Sequence, residues 1–136
     1  MISHLYVGVS DFARAHAFYA PLMDALNLRP RFNDPARSWA AWNPAGGGRP
    51  LFIIGKPFDG GPHAAGNGQM VALMAATHAV VDRVHALALA GGGTDEGPPG
   101  LRPHYHEHYY GCYFRDPDGN KLCVVCHAPD GSDTRA

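Results

Sequence analysis

Residues 4–26 read HLYVGVSDFARAHAFYAPLMDAL, and residues 70–92 read MVALMAATHAVVDRVHALALAGG. A shift of 66 residues lays one over the other, with Met70 under His4 and Thr77 under Asp11. Each begins with a short apolar run that reads as a β-strand. Asp11 and Thr77 are good N-cap residues for the helix that follows. In the first helix Phe12, Ala15, Phe18, Tyr19 and Leu22 recur close to the 3.6-residue period of a buried face. Val84 and His85 fall under Phe18 and Tyr19 in the second. Pro21 predicts a kink or an early end near Ala20, because proline removes a helical donor.

Working outward, the first half continues with strands over Leu28 to Phe32, Arg37 to Trp42, and LFIIG at 51–55. The second continues with a long Pro-rich loop, EGPPGLRPHYHEH at 96–108. Two strands follow, YYGCYF and KLCVVC, joined by DPDGN at 116–120. The stretch KPFDGGPHAAGNG, 56–68, reads as a turn-rich crossing. The pattern is an α+β fold of two βαβββ modules, residues 2–55 and 68–127, with linker 56–67. Together they form one domain over 1–128, and 129–136 are expected to be a flexible tail. A sheet with a helix on one face must cover its other face, so the sheets are expected to curve around a cavity that takes a small ligand.

Bulk composition narrows the function classes. The chain of 136 residues is 46% hydrophobic and 17% charged, too apolar for a disordered segment. A net charge of -1 without a basic run argues against nucleic acid or an anionic membrane surface as partner. No apolar run approaches the ~20 residues that span a bilayer, and the N-terminus does not read as a signal peptide. Cys112, Cys123 and Cys126 are odd in number and make no disulfide framework, which points to a reducing, cytoplasmic home.

The opening HLYVGVSDFARAHAFY, the stretch GPPGLRPHY, and YYGCYFRDPDGNKLCVV resemble the glyoxalase/bleomycin-resistance/dioxygenase, or vicinal oxygen chelate, superfamily over about residues 2–127. The resemblance implies paired βαβββ modules around a metal-lined cavity, small-molecule ligands, and commonly a homodimer. It also implies ligands for a divalent metal on the first and last strands of each module. His4 matches one such position. Met70 stands where a second His is usual, Cys123 where a Glu is usual, and LFIIG carries no His, Glu or Gln. A His/Met/Cys set is soft and poorly suited to hard divalent ions. The expectation is therefore a degenerate metal site, with no cofactor required and a divalent metal implied by resemblance alone.

Other residues divide between chemistry and packing. His104, His106 and His108 would share a face if extended, but beside Pro103 they read as a loop at the pocket's mouth. Cys123 and Cys126 lie three apart and point to opposite faces of a strand, so they form no redox or metal pair. The DPDGN turn sets Arg115 opposite Lys121, Tyr113 opposite Cys123 and Gly111 opposite Val125. Tyr113, Cys123 and Val125 then share the face that looks into the pocket. Cys123 would need a neighbouring base, such as His4, to act as a nucleophile. Trp39 and Trp42 should point to opposite faces of their strand, and His16, His78 and His85 should lie on the surfaces of helices. The pocket candidates are His4, Met70, Tyr105, Tyr113 and Cys123, with no catalytic residue assigned. Two functions stay open: a lyase or isomerase acting on a small oxygenated or thiol-conjugated substrate, and a metal-free protein of the bleomycin-resistance type that sequesters a small molecule.

Overall fold

The structure is a computed structural model and describes residues 1–129. The first module comprises β1 (His4–Gly8), α1 (Phe12–Ala25), β2 (Leu28–Asp34), β3 (Trp39–Pro44) and β4 (Leu51–Gly55). The second comprises β5 (Val71–Met74), α2 (His78–Ala90), β6 (Thr94–Leu101), β7 (Tyr110–Arg115) and β8 (Lys121–Cys126). Each forms a four-stranded mixed sheet, in the orders β1-β4-β3-β2 and β5-β8-β7-β6. The duplication read from the sequence is therefore present. Asp11 and Thr77 cap their helices, accepting the amides of Arg14 and Val80.

Each helix covers one face of its own sheet, and the two helices also pack on each other. One apolar core consequently runs across both modules, through Val9, Ile54, Phe18, Val84, Phe114 and Val124. The sheets stay separate and are not closed on one another. Their outer faces remain open, the first carrying a small cluster of Ala41, Leu51 and Ile53 with Phe32 and Trp39 against it.

Three local expectations are corrected. α1 does not stop near Ala20 but runs through Pro21 to Ala25. Leu22, Met23 and Leu26, beyond the proline, are all buried. Burying each contributes roughly 1.5–3 kcal/mol, which outweighs the ~3 kcal/mol a helical proline costs. The Pro-rich loop begins instead as strand β6, an edge strand. Its register against β7 breaks between Asp95 and Gly97 and again between Gly97 and Gly100. Pro98 and Pro99 sit in that interruption, where a missing donor costs no ladder bond. His85 is buried rather than exposed, with Nε2 2.8 Å from Asp95 Oδ1. Trp42 lies in the core and Trp39 on the outer face, as strand alternation requires.

The DPDGN turn joins the modules. Asp116 is buried, and its Oδ1 accepts the backbone amides of Asp118 and Asn120 at 2.9 Å each. Its Oδ2 accepts the Tyr19 hydroxyl of α1 at 2.6 Å and Asn120 Nδ2 at 2.9 Å. Asn120 Nδ2 also donates to the Gly8 carbonyl at the end of β1, at 2.8 Å. Asp118 accepts from Ser10 and from Arg14, the latter at 2.9 Å. Burial and the Asp116 charge push the Tyr19 phenol well above its usual pKa, so it stays a donor. Tyr19→Phe should cost about 1.5–3 kcal/mol in urea denaturation, the range for a hydrogen bond to a charged group. A loss below about 0.5 kcal/mol would mean that this bond does not bear on stability.

Candidate functional site

The outer face of the second sheet gathers most of the chemistry. β7 and β8 pair with Arg115 opposite Lys121, Tyr113 opposite Cys123 and Gly111 opposite Val125, the register read from the turn. Tyr109, just before β7, folds back over this face. Its hydroxyl lies 2.8 Å from that of Tyr113 and 3.4 Å from Cys123 Sγ. Gly111 makes room for it, since a Cβ there would meet Tyr109 Cε1 at 3.0 Å. Arg102 and Lys121 place their cationic ends 5.7 Å from the centroid of the Tyr113 ring.

Above this floor the 103–109 turn forms a wall. Tyr105 packs on Tyr109 at 4.9 Å between ring centroids, and His106 stands edge-on to Tyr109. The His108 amide donates to His106 Nδ1 at 3.1 Å, so a neutral His106 carries its proton on Nε2. That nitrogen lies 2.9 Å from His127 Nδ1, which must accept. These contacts hold the two imidazole rings together along the wall. The walls and floor enclose an open hollow of about 510 Å³, with Met70 and Lys121 completing the lining.

Three of the five candidates, Met70, Tyr105 and Tyr113, line this hollow, and Cys123 lies beneath it in contact with Tyr109. His4 does not join them. It sits exposed at the start of β1, in the other sheet, with Nδ1 2.9 Å from Ser3 Oγ. Cys126 turns into the core, opposite to Cys123. Tyr110 also leaves the site: it stacks on His78 at 3.9 Å and donates to Asp82 at 2.6 Å. Lys121 and His127 were missed as lining residues. Strand alternation alone carries the signal, because 121, 123, 125 and 127 fall on one face.

Electrostatics keep the site protonated. Burial raises the Cys123 thiol above its ordinary value, outweighing hydrogen bonds from Tyr109 and Tyr113 that favour the thiolate. Burial likewise raises Tyr109 and Tyr113 and pushes the Cys112 thiol up to about 12. Among the described residues, no base contacts Cys123 that could make it a nucleophile; its hydrogen-bonding neighbours are phenols. Among the described residues, no three His, Cys, Asp or Glu side chains converge as ligands, and the positions the resemblance points to hold a thioether and a neutral thiol.

The comparisons with known proteins agree with this architecture. A model of the Glyoxalase/Bleomycin resistance protein/Dioxygenase superfamily matches residues 1–124. The chain belongs to that superfamily. A glyoxalase/bleomycin resistance protein from Albidiferax ferrireducens is similar at 35% identity and TM-score 0.82, over 93% of this chain and 98% of its own. A glyoxalase-related enzyme from Fulvimarina pelagi shares the fold at 19% identity and TM-score 0.70, over 100% and 98%. Lactoylglutathione lyase from Agrobacterium tumefaciens shares it at 23% and 0.60, over 93% and 92%. Comparison with curated proteins gives no match. Among the described residues, no helix of this superfamily member is long and apolar enough to cross a membrane.

Two outcomes follow from the raised pKa values. Iodoacetamide should alkylate Cys123 at pH 7.5 far more slowly than a free thiol, speeding up only on denaturation; a rate matching free cysteine would contradict a neutral, buried thiol. Acids whose pKa is raised on folding stabilise the fold below their unfolded values, 9.0 for the thiol and 10.0 for the phenols. That contribution is lost as pH rises above them. The melting temperature should therefore hold level from pH 7 to about 8.5 and fall beyond about 9, whereas a rise in that window would reverse the sign of the account.

Proposed function

We propose that the protein binds and sequesters a small, largely apolar molecule in the hollow over Tyr109, Tyr113 and Cys123, without chemistry of its own there. The observation that carries this reading is the phenol–phenol–thiol chain under an aromatic wall. It supplies neutral hydrogen-bond partners and ring surface, the means of holding a ligand. It supplies neither an activated nucleophile nor a hard-metal ligand set. On this reading His4 belongs to the strand edge, Met70, Tyr105 and Tyr113 are ligand contacts, and Cys123 lies beneath them, holding Tyr109. A second copy of the chain would cover the open sheet faces, giving a homodimer that works in the cytoplasm.

The competing reading is a glyoxalase-like lyase or isomerase. It is favoured by the similarity to a protein named lactoylglutathione lyase. The two separate in one experiment. Small aromatic compounds screened by thermal shift should raise the melting temperature without being consumed. Tyr109→Ala should raise the half-saturating concentration of any such compound at least tenfold. Turnover of a hemithioacetal by the purified protein, abolished by a chelator, would instead establish the lyase.

A further inference from the structure

The hollow over Tyr109 is lined by rings and by one permanent charge, the Lys121 ammonium; among the described residues no Asp or Glu lines it. The acids near it in the chain are engaged elsewhere. Glu96 holds Arg115, the cross-strand partner of Lys121, at 2.5 Å. Asp116 and Asp118 belong to the tie between the modules. Asp95 accepts the Gly97 amide at 3.0 Å and contacts His85. Glu107, on the turn of the wall, has a side chain 85% exposed and lies 3.4 Å from His108 Nε2.

A second cation is fixed beside the floor. The Arg102 guanidinium donates to the Pro98 carbonyl at 2.7 Å and lies across a stretch of β6 that two glycines leave bare. A Cβ at Gly100 would meet its Nη1 at 3.0 Å, and one at Gly97 its Nη2 at 3.4 Å. Arg102 and Lys121 both reach the Tyr113 ring, and both favour the Cys123 thiolate, although burial outweighs them. Among the described residues, neither pairs with a carboxylate. The hollow of about 740 Å³ on the first sheet differs in this respect: Arg37 there lies 3.9 Å from Asp34, and Asp59 joins Lys56 in the lining.

The unanswered charge discriminates between ligands. Lys121 is only part-exposed, so a molecule that fills the hollow strips further water from its ammonium. A neutral ligand leaves that charge without a partner, whereas an anionic one supplies it. Resting on the reading of this hollow as a ligand site, we propose that its ligand is an apolar or aromatic carboxylate, whose oxygens meet Lys121 while its hydrocarbon part lies on the tyrosines. Lys121 is then the specificity-determining residue, and Arg102 strengthens the field from beside Tyr113. One lining ammonium matches the single charge of a carboxylate better than the ~2 negative charges of a phosphate monoester at neutral pH.

The test titrates biphenyl-4-carboxylate and its uncharged isostere biphenyl-4-carboxamide into the full chain by calorimetry at low ionic strength. The acid should bind at least about tenfold more tightly than the amide, and added salt should weaken the acid more than the amide. Within Lys121→Met, which keeps the apolar stem and removes the charge, the two compounds should bind alike, whereas Lys121→Arg should keep the preference. Lys56→Gln, on the other sheet, should keep it too. Lys121 packs in neither apolar cluster, so its variants should keep the parent's melting temperature. A preference that survives Lys121→Met, or one that Lys56→Gln removes, would overturn the proposal. Equal binding of acid and amide, weakened by Tyr109→Ala, would overturn the anion selectivity and leave the sequestering reading in place. No binding of either compound at millimolar concentration would overturn both.

Discussion

The buried carboxylate of Asp116 is the constraint on which the structure turns. It receives four hydrogen bonds, two from its own turn's amides, one from Asn120 Nδ2 and one from Tyr19 on the opposite module's helix. A carboxylate out of water is tolerated only when it is well solvated by protein donors. Here the donors come from both halves of the chain, so satisfying one charge also fixes the modules relative to each other. Asn120 extends the tie to Gly8 and His63, and Asp118 extends it to Ser10 and Arg14.

This arrangement decides where ligands would sit. With the helices sharing one core, neither outer sheet face is shut against the other, and each keeps a hollow. A crevice of about 130 Å³ lies between them at the module seam. It is lined by Tyr6, Gly8 and His63, shared with the hollow on the first sheet, and by Met70 and Lys121, shared with that on the second. The three run as one line across the seam that Asn120 crosses. Position and chemistry are thereby linked: the turn that ties the modules also begins β8, which carries Lys121 and Cys123 into the second site.

Much of this was legible in the sequence because it rests on period and turn chemistry. The 66-residue echo, both N-caps, the register from DPDGN and the opposite faces of Cys123 and Cys126 follow from local rules. The failures have a common cause, which is that tertiary packing outvoted a local preference. Pro21 stays inside α1 because the residues after it are buried, and β6 tolerates two prolines at an edge with a broken register. At the site, the face of Tyr113 and Cys123 was readable, whereas the fold-back of Tyr109 and the His106–His127 bond were not. Those depend on a turn whose path no periodicity specifies. His4 drew attention through a resemblance of position, and its strand lies in the other sheet.

The most direct test of the central claim, that one shared carboxylate makes two modules into a single cooperative unit, is native-state hydrogen exchange resolved by residue. The account predicts that the central amides of β4 and β8 exchange only through global unfolding, with a common opening free energy, and that the amides of Asp118 and Asn120 belong to the same slow class. Separate opening energies for β4 and β8 in the intact protein, or rapid exchange at Asp118 and Asn120, would contradict it.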